Sequence, residues 1–450
     1  MSQSRPVSTL MHVFERGLHA EHLEEVSFLY ERRLGHLKNP AMAWSGLAEI
    51  EDRIEAHLDA LVVGGELALE VCRERAAQGD FGELFAAVSV FCRSQRPPLL
   101  AEMLRTFDSK DRPKTAAMAD ALKYELPIEW AVFVEQAMAT RDARLLPLLA
   151  TVSGYRRLAA GAALHARLRS AIEPAVEAID ALGRMQTLES AEMLTRWLRH
   201  PRKEVEVASA VALLRLGQSP PLRDGAASGG CTGLALGGGQ AAVASLIETI
   251  EHGQATPDGL LALGLLGDPS ALRSLHQCLD VEALAEPAAL ALSWISGADL
   301  AQEVFVPEEV NEDELFPLEL AAWRAHKMPP TRSDGKPFGE NVRKLCVDSQ
   351  AWRQWFVKNA SRFEPRMRYR CGQPITPAAL VDNLAQPHSH PRLREMAAHE
   401  LVVRYRCDVP FEVDMPVDRQ WVAIDAMRQW LAGHASRFRP GAWYFAGSSQ

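Results

Sequence analysis

The clearest pattern in the first third of the chain is a stripe of apolar residues with helical spacing. Within residues 43–61 the apolar positions recur every three or four residues, at Leu47, Ile50, Ile54, Leu58 and Leu61. This spacing places them on one face of a helix with 3.6 residues per turn. Asp80 followed by Glu83 is typical of a capping box. The pattern therefore predicts amphipathic helices up to about residue 142.

Between residues 143 and 300 the apolar runs are shorter, and several end in Leu-Gly. In the run at residues 260–269, Gly267 is expected to close one helix in a left-handed conformation, and Asp268-Pro269 to start the next. Gly183 and Gly217 are 34 residues apart. Helix pairs that repeat at such spacing, with small residues on their faces, stack into an α-solenoid. The segment resembles HEAT-like repeats.

One interval breaks this spacing, because a Gly- and Ser-rich insertion at about 218–240 follows Gly217. We expect a flexible loop between repeats. The insertion does not match the phosphate-binding pattern G-x-x-x-x-G-K-[ST] and contains no Lys. A phosphate cradle is therefore not predicted.

Near the C-terminus the chain repeats itself. Residues 351–372 (the first copy) and 426–447 (the second copy) are identical at 11 of 22 positions, with an offset of 75. Tryptophan, Ser-Arg-Phe, proline and tyrosine positions recur, whereas most basic positions vary. Packing explains this best, and a docking surface is the second interpretation. The candidate partner-binding residues are Trp355, Arg362, Phe363, Tyr369, Trp430, Arg437, Phe438 and Tyr444.

Together these patterns predict an all-α fold: a HEAT-like α-solenoid of stacked helix pairs with a duplicated, Trp-rich helical C-terminal module. The expected regions are an N-terminal helical region (1–142), HEAT-like repeats (143–300), an acidic linker (301–319) and a basic, Trp-rich C-terminal module (320–450).

Charge is distributed unevenly along the 450 residues, whose net charge is −9. Residues 320–450 contain 20 Lys and Arg against 12 Asp and Glu, whereas residues 299–319 contain eight acidic residues and no basic one. The acidic stretch is expected to be a solvated linker, since like charges repel and stay in water. The alternative is an acidic surface that docks a basic partner or the basic C-terminal module.

The spacing of the cysteines and the hydropathy of the chain predict a cytoplasmic location. The seven cysteines are far apart and form no C-x-x-C motif, which favours reduced thiols in a cytoplasm. No run of 18 apolar residues is present, so no membrane span is expected. The first residues lack the apolar core of a signal peptide.

Candidate chemistry is sparse. His388, His390 and His399 are weak metal candidates, because imidazole suits zinc or iron. However, Pro387 and Pro391 place the first pair in a turn, and His399 lies in an amphipathic helical pattern. No serine-hydrolase elbow and no H-E-x-x-H motif is present. No cofactor is predicted, and an enzyme with a cryptic metal site in the C-terminal module remains the alternative to a binding protein.

Nucleic-acid binding is a weaker alternative. Basic and aromatic residues alternate over 352–370, a pattern suited to single-stranded nucleic acid. The second copy keeps the aromatic residues with fewer basic ones. Structural packing or protein docking therefore accounts better for what recurs.

Several segments together resemble an uncharacterised proteobacterial family of HEAT-like repeat proteins, often encoded beside type VI secretion genes. They are residues 29–72, the 263–272 repeat, and residues 371–405 followed by Asp418–Trp421. The resemblance implies a cytoplasmic accessory protein that binds or loads a secreted effector or a spike component, and it carries over no catalytic residue. The expected function is a non-catalytic protein–protein interaction scaffold or adaptor.

Overall fold

The chain folds mostly into α-helices. The computed structural model describes residues 5–139, 142–169, 171–220, 230–308, 310–312, 315–332 and 335–450. Within these residues helices dominate and the few strands are short, in agreement with the predicted all-α class. Two compact units are formed: Met1–Ser245 together with Pro374–Gln450 (unit 1), and Leu246–Gln373 (unit 2). The predicted C-terminal module is thus divided between the units, with one copy of the duplication in each.

The helices in chain order are α1 Arg5–Lys38, α2 Leu47–Val63, α3 Gly65–Gln78, α4 Phe81–Arg93, α5 Pro97–Thr106, α6 Arg112–Glu125, α7 Ala131–Ala139, α8 Leu146–Arg156, α9 Gly161–Leu168, α10 Val176–Arg184, α11 Ala191–Trp197, α12 Lys203–Arg215, α13 Gly230–Gly237, α14 Gln240–Glu251, α15 Pro257–Leu266, α16 Leu272–Gln277, α17 Glu282–Ser296, α18 Pro317–His326, α19 Ser349–Asn359, α20 Pro377–Ala385, α21 Pro391–Tyr405 and α22 Val417–His434. The strands are β1 Ala301–Pro307, β2 Gly339–Leu345, β3 Tyr369–Arg370, β4 Gln373–Pro374, β5 Tyr444–Phe445 and β6 Ser448–Ser449; they form three two-stranded sheets.

Unit 1 is built from two layers of helices. In one layer α4, α6, α8, α10 and α12 pack side by side in chain order; in the other, α3 packs on α5 and α7 on α9. The row continues from α12 to α13 and on to α21, and α22 then lies against α2. The C-terminal helices therefore return to the N-terminal ones within this unit.

Small residues set the distance between successive helices. A Cβ added to the glycine in each of three helices would lie within 3 Å of the Cα of an alanine on the next helix. The contacts are Gly154 to Ala181 (2.8 Å), Gly183 to Ala212 (2.7 Å) and, in unit 2, Gly264 to Ala291 (2.7 Å). Such close approach leaves no room for any side chain, and it brings α8 to α10, α10 to α12 and α15 to α17 at similarly short distances.

Several predicted helix ends are confirmed. Asp80 and Glu83 form a capping box at the start of α4. Gly267 ends α15 in the left-handed region with φ 75°, and Asp268 caps the following turn by accepting a hydrogen bond from the Ser270 amide. Gly183 is different, because it lies inside α10 and is needed for close helix packing.

Two predicted connections contain regular structure. In the insertion at 218–240, residues 230–237 form helix α13, and residues 221–229 lie outside the described part. The acidic stretch begins as strand β1, which pairs antiparallel with β2 in the register Ala301 to Leu345. Strand pairing here satisfies the backbone groups that a solvated linker would leave to water.

Candidate functional site

The two copies of the duplicated segment share their main local contacts. Each begins within a helix, α19 or α22, passes through one 3-10 turn and ends at the turn of a hairpin with two-residue strands. The hydroxyl of Tyr369 accepts a hydrogen bond from the Glu364 amide, and that of Tyr444 from the Arg439 amide, both at 2.9 Å. In both copies the phenylalanine of Ser-Arg-Phe packs edge-on against this tyrosine, with ring centroids 5.1 Å apart.

Each hairpin closes the end of a neighbouring helix. Both central residues of the two turns have positive φ, 51° and 75° in the first copy and 50° and 82° in the second, so they form the tight turn that matches strand twist. The turn amides of Cys371 and Gly372 donate to carbonyls in the last turn of α17 at 2.7 and 3.0 Å. Those of Ala446 and Gly447 donate to the end of α21, both at 2.9 Å. The duplication is therefore a helix-capping device, because it supplies donors to carbonyls that a helix end leaves unpaired.

Two basic residues of the first copy have a buried structural role. Arg368 donates to the Leu266 carbonyl at 2.8 Å, and Arg370 to the Leu265 carbonyl at 2.7 Å. Both side chains are fully buried. They contact the end of α15 and are not available to stack with or pair to nucleic acid. Outside the second copy, Arg404 of α21 makes similar bonds: it donates to the carbonyls of Ala235 and Gly238 at the end of α13.

The candidate docking residues differ in exposure. Tyr369, Phe438 and Tyr444 are buried within their own modules, and Trp355, Phe363 and Trp430 are partly exposed. Arg362 and Arg437 are exposed. Arg362 reaches only the Asn359 side chain at 3.4 Å, and Arg437 has no hydrogen-bond partner within the described residues. Accessible recognition groups are thus confined to the two arginines and the edges of the partly exposed rings.

The three histidines do not come together. His390 caps α21, where its ring accepts a hydrogen bond from the Arg392 amide, and His388 lies before it in an exposed turn. His399 is nine residues further along α21, which corresponds to ~13 Å of helix. Within the described residues no group of three His, Cys, Asp or Glu is placed to hold a metal ion.

Sequence analysis missed a second feature, a row of polar side chains along unit 1. The last turns of α4, α6, α8, α10 and α12 carry one each at equivalent positions, spaced 31, 31, 29 and 31 residues apart. We call this row the polar ladder; its members are Arg93, Tyr124, Tyr155, Arg184 and Arg215. The spacing of about 30 residues between its members can be found in the sequence. A single polar residue at the end of an apolar helix, however, does not by itself indicate a functional row.

The polar ladder and its neighbours hold an extended segment of the same chain. Residues 407–416, the inner segment, contain no helix or strand. Glu412 pairs with both Arg157 and Arg184 at 2.7 Å. Asp414 pairs with Lys123 at 3.0 Å, and its carbonyl accepts from the Tyr124 hydroxyl at 2.8 Å. The inner segment therefore contacts the ends of three successive helices through charged pairs.

Next to the inner segment, His399 belongs to a partly buried charge cluster. Arg215 donates to its Nε2 at 2.9 Å and pairs with Asp180, which also pairs with Arg184 at 2.5 Å. Because arginine only donates, Nε2 accepts and the neutral ring carries its proton on Nδ1. Burial and the adjacent cations Arg215 and Arg184 hold the pKa of His399 well below its usual value. Burial alone would raise the pKa of Asp180, but the two arginines outweigh it and lower that pKa.

Two adjoining cavities lie along the inner segment. The larger holds about 360 Å³ and lies between α8, α10, α21 and residues 411–414; the second holds about 350 Å³ and reaches Arg157 and Arg215. Arg184, His399 and Glu412 line both. Burial raises the pKa of Glu395, at the edge of the larger cavity. Charged side chains of both signs therefore line the two cavities.

Comparison of this sequence with protein-family models and with curated proteins gives no match.

Proposed function

We propose that this chain is a non-catalytic interaction scaffold of HEAT-like repeats whose stacked helix pairs form an α-solenoid and dock a protein partner. The polar ladder carries this proposal: five successive helices of one layer present equivalent side chains to one face. Repeat proteins bind extended partners in this way, because each repeat contributes one contact to a continuous surface.

The inner segment supports the same conclusion. Its carboxylates are held by cations from successive helices, as an extended peptide would be. A face that binds ten residues of its own chain has the spacing and charge needed to bind extended polypeptide. The partner would use the remaining accessible surfaces, among them the two cavities and the exposed arginines of the duplicated segments.

The resemblance to the family found near type VI secretion genes gives this scaffold a context: a bacterial, cytoplasmic accessory protein that binds an effector or a spike component. No helix in the described residues is long and apolar enough to cross a membrane. The alternative, a metal enzyme built on His388, His390 and His399, requires those rings to converge, and α21 separates two of them.

The test is capture of partners from a lysate of the source bacterium, with the full chain as bait at low salt. We expect a protein partner whose capture falls about tenfold when Arg362 and Arg437 are both changed to alanine, since central arginines often dominate docking energy. The unfolding midpoint should not change, because both side chains are exposed.

Arg273→Ala is the matched control, since Arg273 is exposed in unit 2 outside the duplicated segments. It should leave capture unaltered. Failure to capture any protein would contradict the scaffold function. If the double variant instead loses stability, the duplicated segments serve the fold alone.

A further inference from the structure

Strands β1 and β2 of unit 2 form a sheet without a core of its own. The sheet consists of these two strands, and no described residue between 301 and 345 is buried. A sheet of two strands is marginally stable in water, because it buries little apolar surface. A further strand that pairs with one edge would stabilise it. The two edges of this sheet are therefore candidate docking surfaces.

The register of the sheet shows which backbone groups point away from it. The Cys346 amide donates to the Leu300 carbonyl at 3.0 Å, and the Glu308 amide donates to the Phe338 carbonyl at 2.9 Å. These bonds lie just beyond the two ends of the paired strands, whose residues are opposite each other without a bulge. Even-numbered residues of β2 therefore hydrogen-bond to β1, and odd-numbered residues direct their N–H and C=O groups outward.

The outer edge of β2 is open over most of its length. At its start the Arg332 guanidinium donates to the Gly339 carbonyl at 2.8 Å. Beyond that point the outward backbone groups belong to Asn341, Arg343 and Leu345, and no described strand pairs with them. A row of unpaired backbone groups of this kind is a template for another strand.

The side chains of β2 indicate which strand this edge fits. Glu340 and Lys344 lie on one face of β2, two residues before and after Val342. Both are exposed, and neither forms an ion pair within the described residues. If a second β2 lies antiparallel with Val342 opposite Val342, each Glu340 faces a Lys344 of the other molecule. Asn341 then faces Arg343, and these outward residues can exchange backbone hydrogen bonds.

Other pairings between two molecules lack this match. An axis at Arg343 would place like charges opposite each other, which is unfavourable. The outer edge of β1 ends at Pro307, which has no N–H, and Glu303 is the one charged residue of that strand. Two β1 strands therefore offer no pair of opposite charges. The charge pattern favours β2 against β2 in a single register.

We propose that this chain forms a homodimer in which the β2 strands of two molecules pair antiparallel about a two-fold axis at Val342. The two sheets become one sheet with the strand order β1-β2-β2-β1, which passes the three strands needed for independent stability. The same residues serve both molecules, so the contact is isologous and closes at the dimer. The dimer does not depend on the scaffold function, since the register and the charges of β2 carry it.

Sedimentation velocity of the full-length protein over a wide range of concentration tests the dimer. We expect a monomer–dimer equilibrium that Asn341→Pro weakens at least about tenfold, because proline removes an outward N–H from each molecule and no bond to β1. Glu303→Pro is the matched control, since Glu303 points its N–H outward at the other edge of the sheet. The control should leave the equilibrium unaltered. A chain that stays monomeric at every concentration overturns the proposal, as does equal weakening by both variants.

An exchange of charges tests the register. Lys344→Glu places a glutamate opposite Glu340 on both sides of the axis, so it should weaken the dimer at least about tenfold. The double variant Glu340→Lys with Lys344→Glu restores opposite charges and should recover the dimer. Unchanged unfolding midpoints would show that these variants fold.

Two results of these experiments contradict the proposed pairing. One is a dimer that Lys344→Glu leaves unchanged, or that the double variant fails to recover although it folds. The other is a monomeric chain that captures a different protein and loses it on Asn341→Pro, because the open edge of β2 would then bind a strand of that protein in place of a second molecule of this chain.

Discussion

At the scale of single residues, the absence of a side chain at Gly183 controls the distance between α10 and α12. A Cβ at this position would lie 2.7 Å from the Cα of Ala212 and 2.9 Å from its Cβ. Neither neighbour can move away easily, because one is backbone and the other has no rotatable bond. The same contact occurs at Gly154, between α8 and α10.

We therefore expect Gly183→Ala to lower the free energy of unfolding by about 1–3 kcal/mol, the usual cost of overpacking. Gly17→Ala is the control, since Gly17 lies inside α1 with no atom within 4 Å of the added Cβ. That change should raise the free energy of unfolding by about 0.5–1 kcal/mol, because alanine favours the helix over glycine where its Cβ meets no neighbour. Urea unfolding followed by circular dichroism measures both; equal effects would contradict the close-packing argument.

At the scale of elements, the hairpins of the duplicated segments close helices through two left-handed residues each. Only glycine adopts this conformation without strain, and Gly372 and Gly447 occupy the second position. Their surroundings differ. A Cβ on Gly372 would lie 2.7 Å from the Ser296 carbonyl oxygen, whereas one on Gly447 would lie no closer than 3.6 Å to any neighbour, at Arg406.

The two hairpins therefore give a matched pair of substitutions. Gly447→Ala should cost about 1–2 kcal/mol through backbone strain alone. Gly372→Ala should cost more, because strain and the contact with a helix carbonyl add together. Hydrogen exchange of the turn amides that donate to the ends of α21 and α17 locates each effect within its own unit. A larger loss for Gly447→Ala would contradict the assigned contacts.

At the scale of the whole molecule, buried polar groups make stability depend on pH. The pKa of His399 is held well below 6.5 in the folded protein, whereas the unfolded ring titrates near that value. The unfolded chain therefore binds the proton first as pH falls. The stability contributed by the neutral ring is complete above pH 6.5 and is lost below it, by at most about 1.4 kcal/mol per pH unit.

His399→Gln should remove this part of the dependence, since glutamine can accept from Arg215 and does not titrate. We expect the free energy of unfolding, measured with urea, to fall more steeply between pH 7.5 and pH 5.5 for the unaltered protein than for the variant. Some slope will remain in the variant, because the pKa values of His19, His57 and His390 are also lowered. Identical slopes would show that His399 titrates normally in the folded state.

The amino-acid sequence by itself determined the helical class and many helix ends. Apolar stripes at helical spacing, the capping box at Asp80 and the left-handed end at Gly267 depend on neighbours within a few residues. The likeness between residues 351–372 and 426–447 could also be detected in the sequence. The two copies share one local structure, because that structure depends mainly on contacts within each copy.

Only the tertiary structure decided what these elements contact. It divided the duplicated segments between two units and directed Arg368 and Arg370 to the carbonyls at the end of α15. It also brought residues 407–416 to the polar ladder some 200–300 residues earlier in the chain. Pairings at such separations depend on how whole helices stack, and the free energy of that stacking comes from many small contacts that no local pattern encodes.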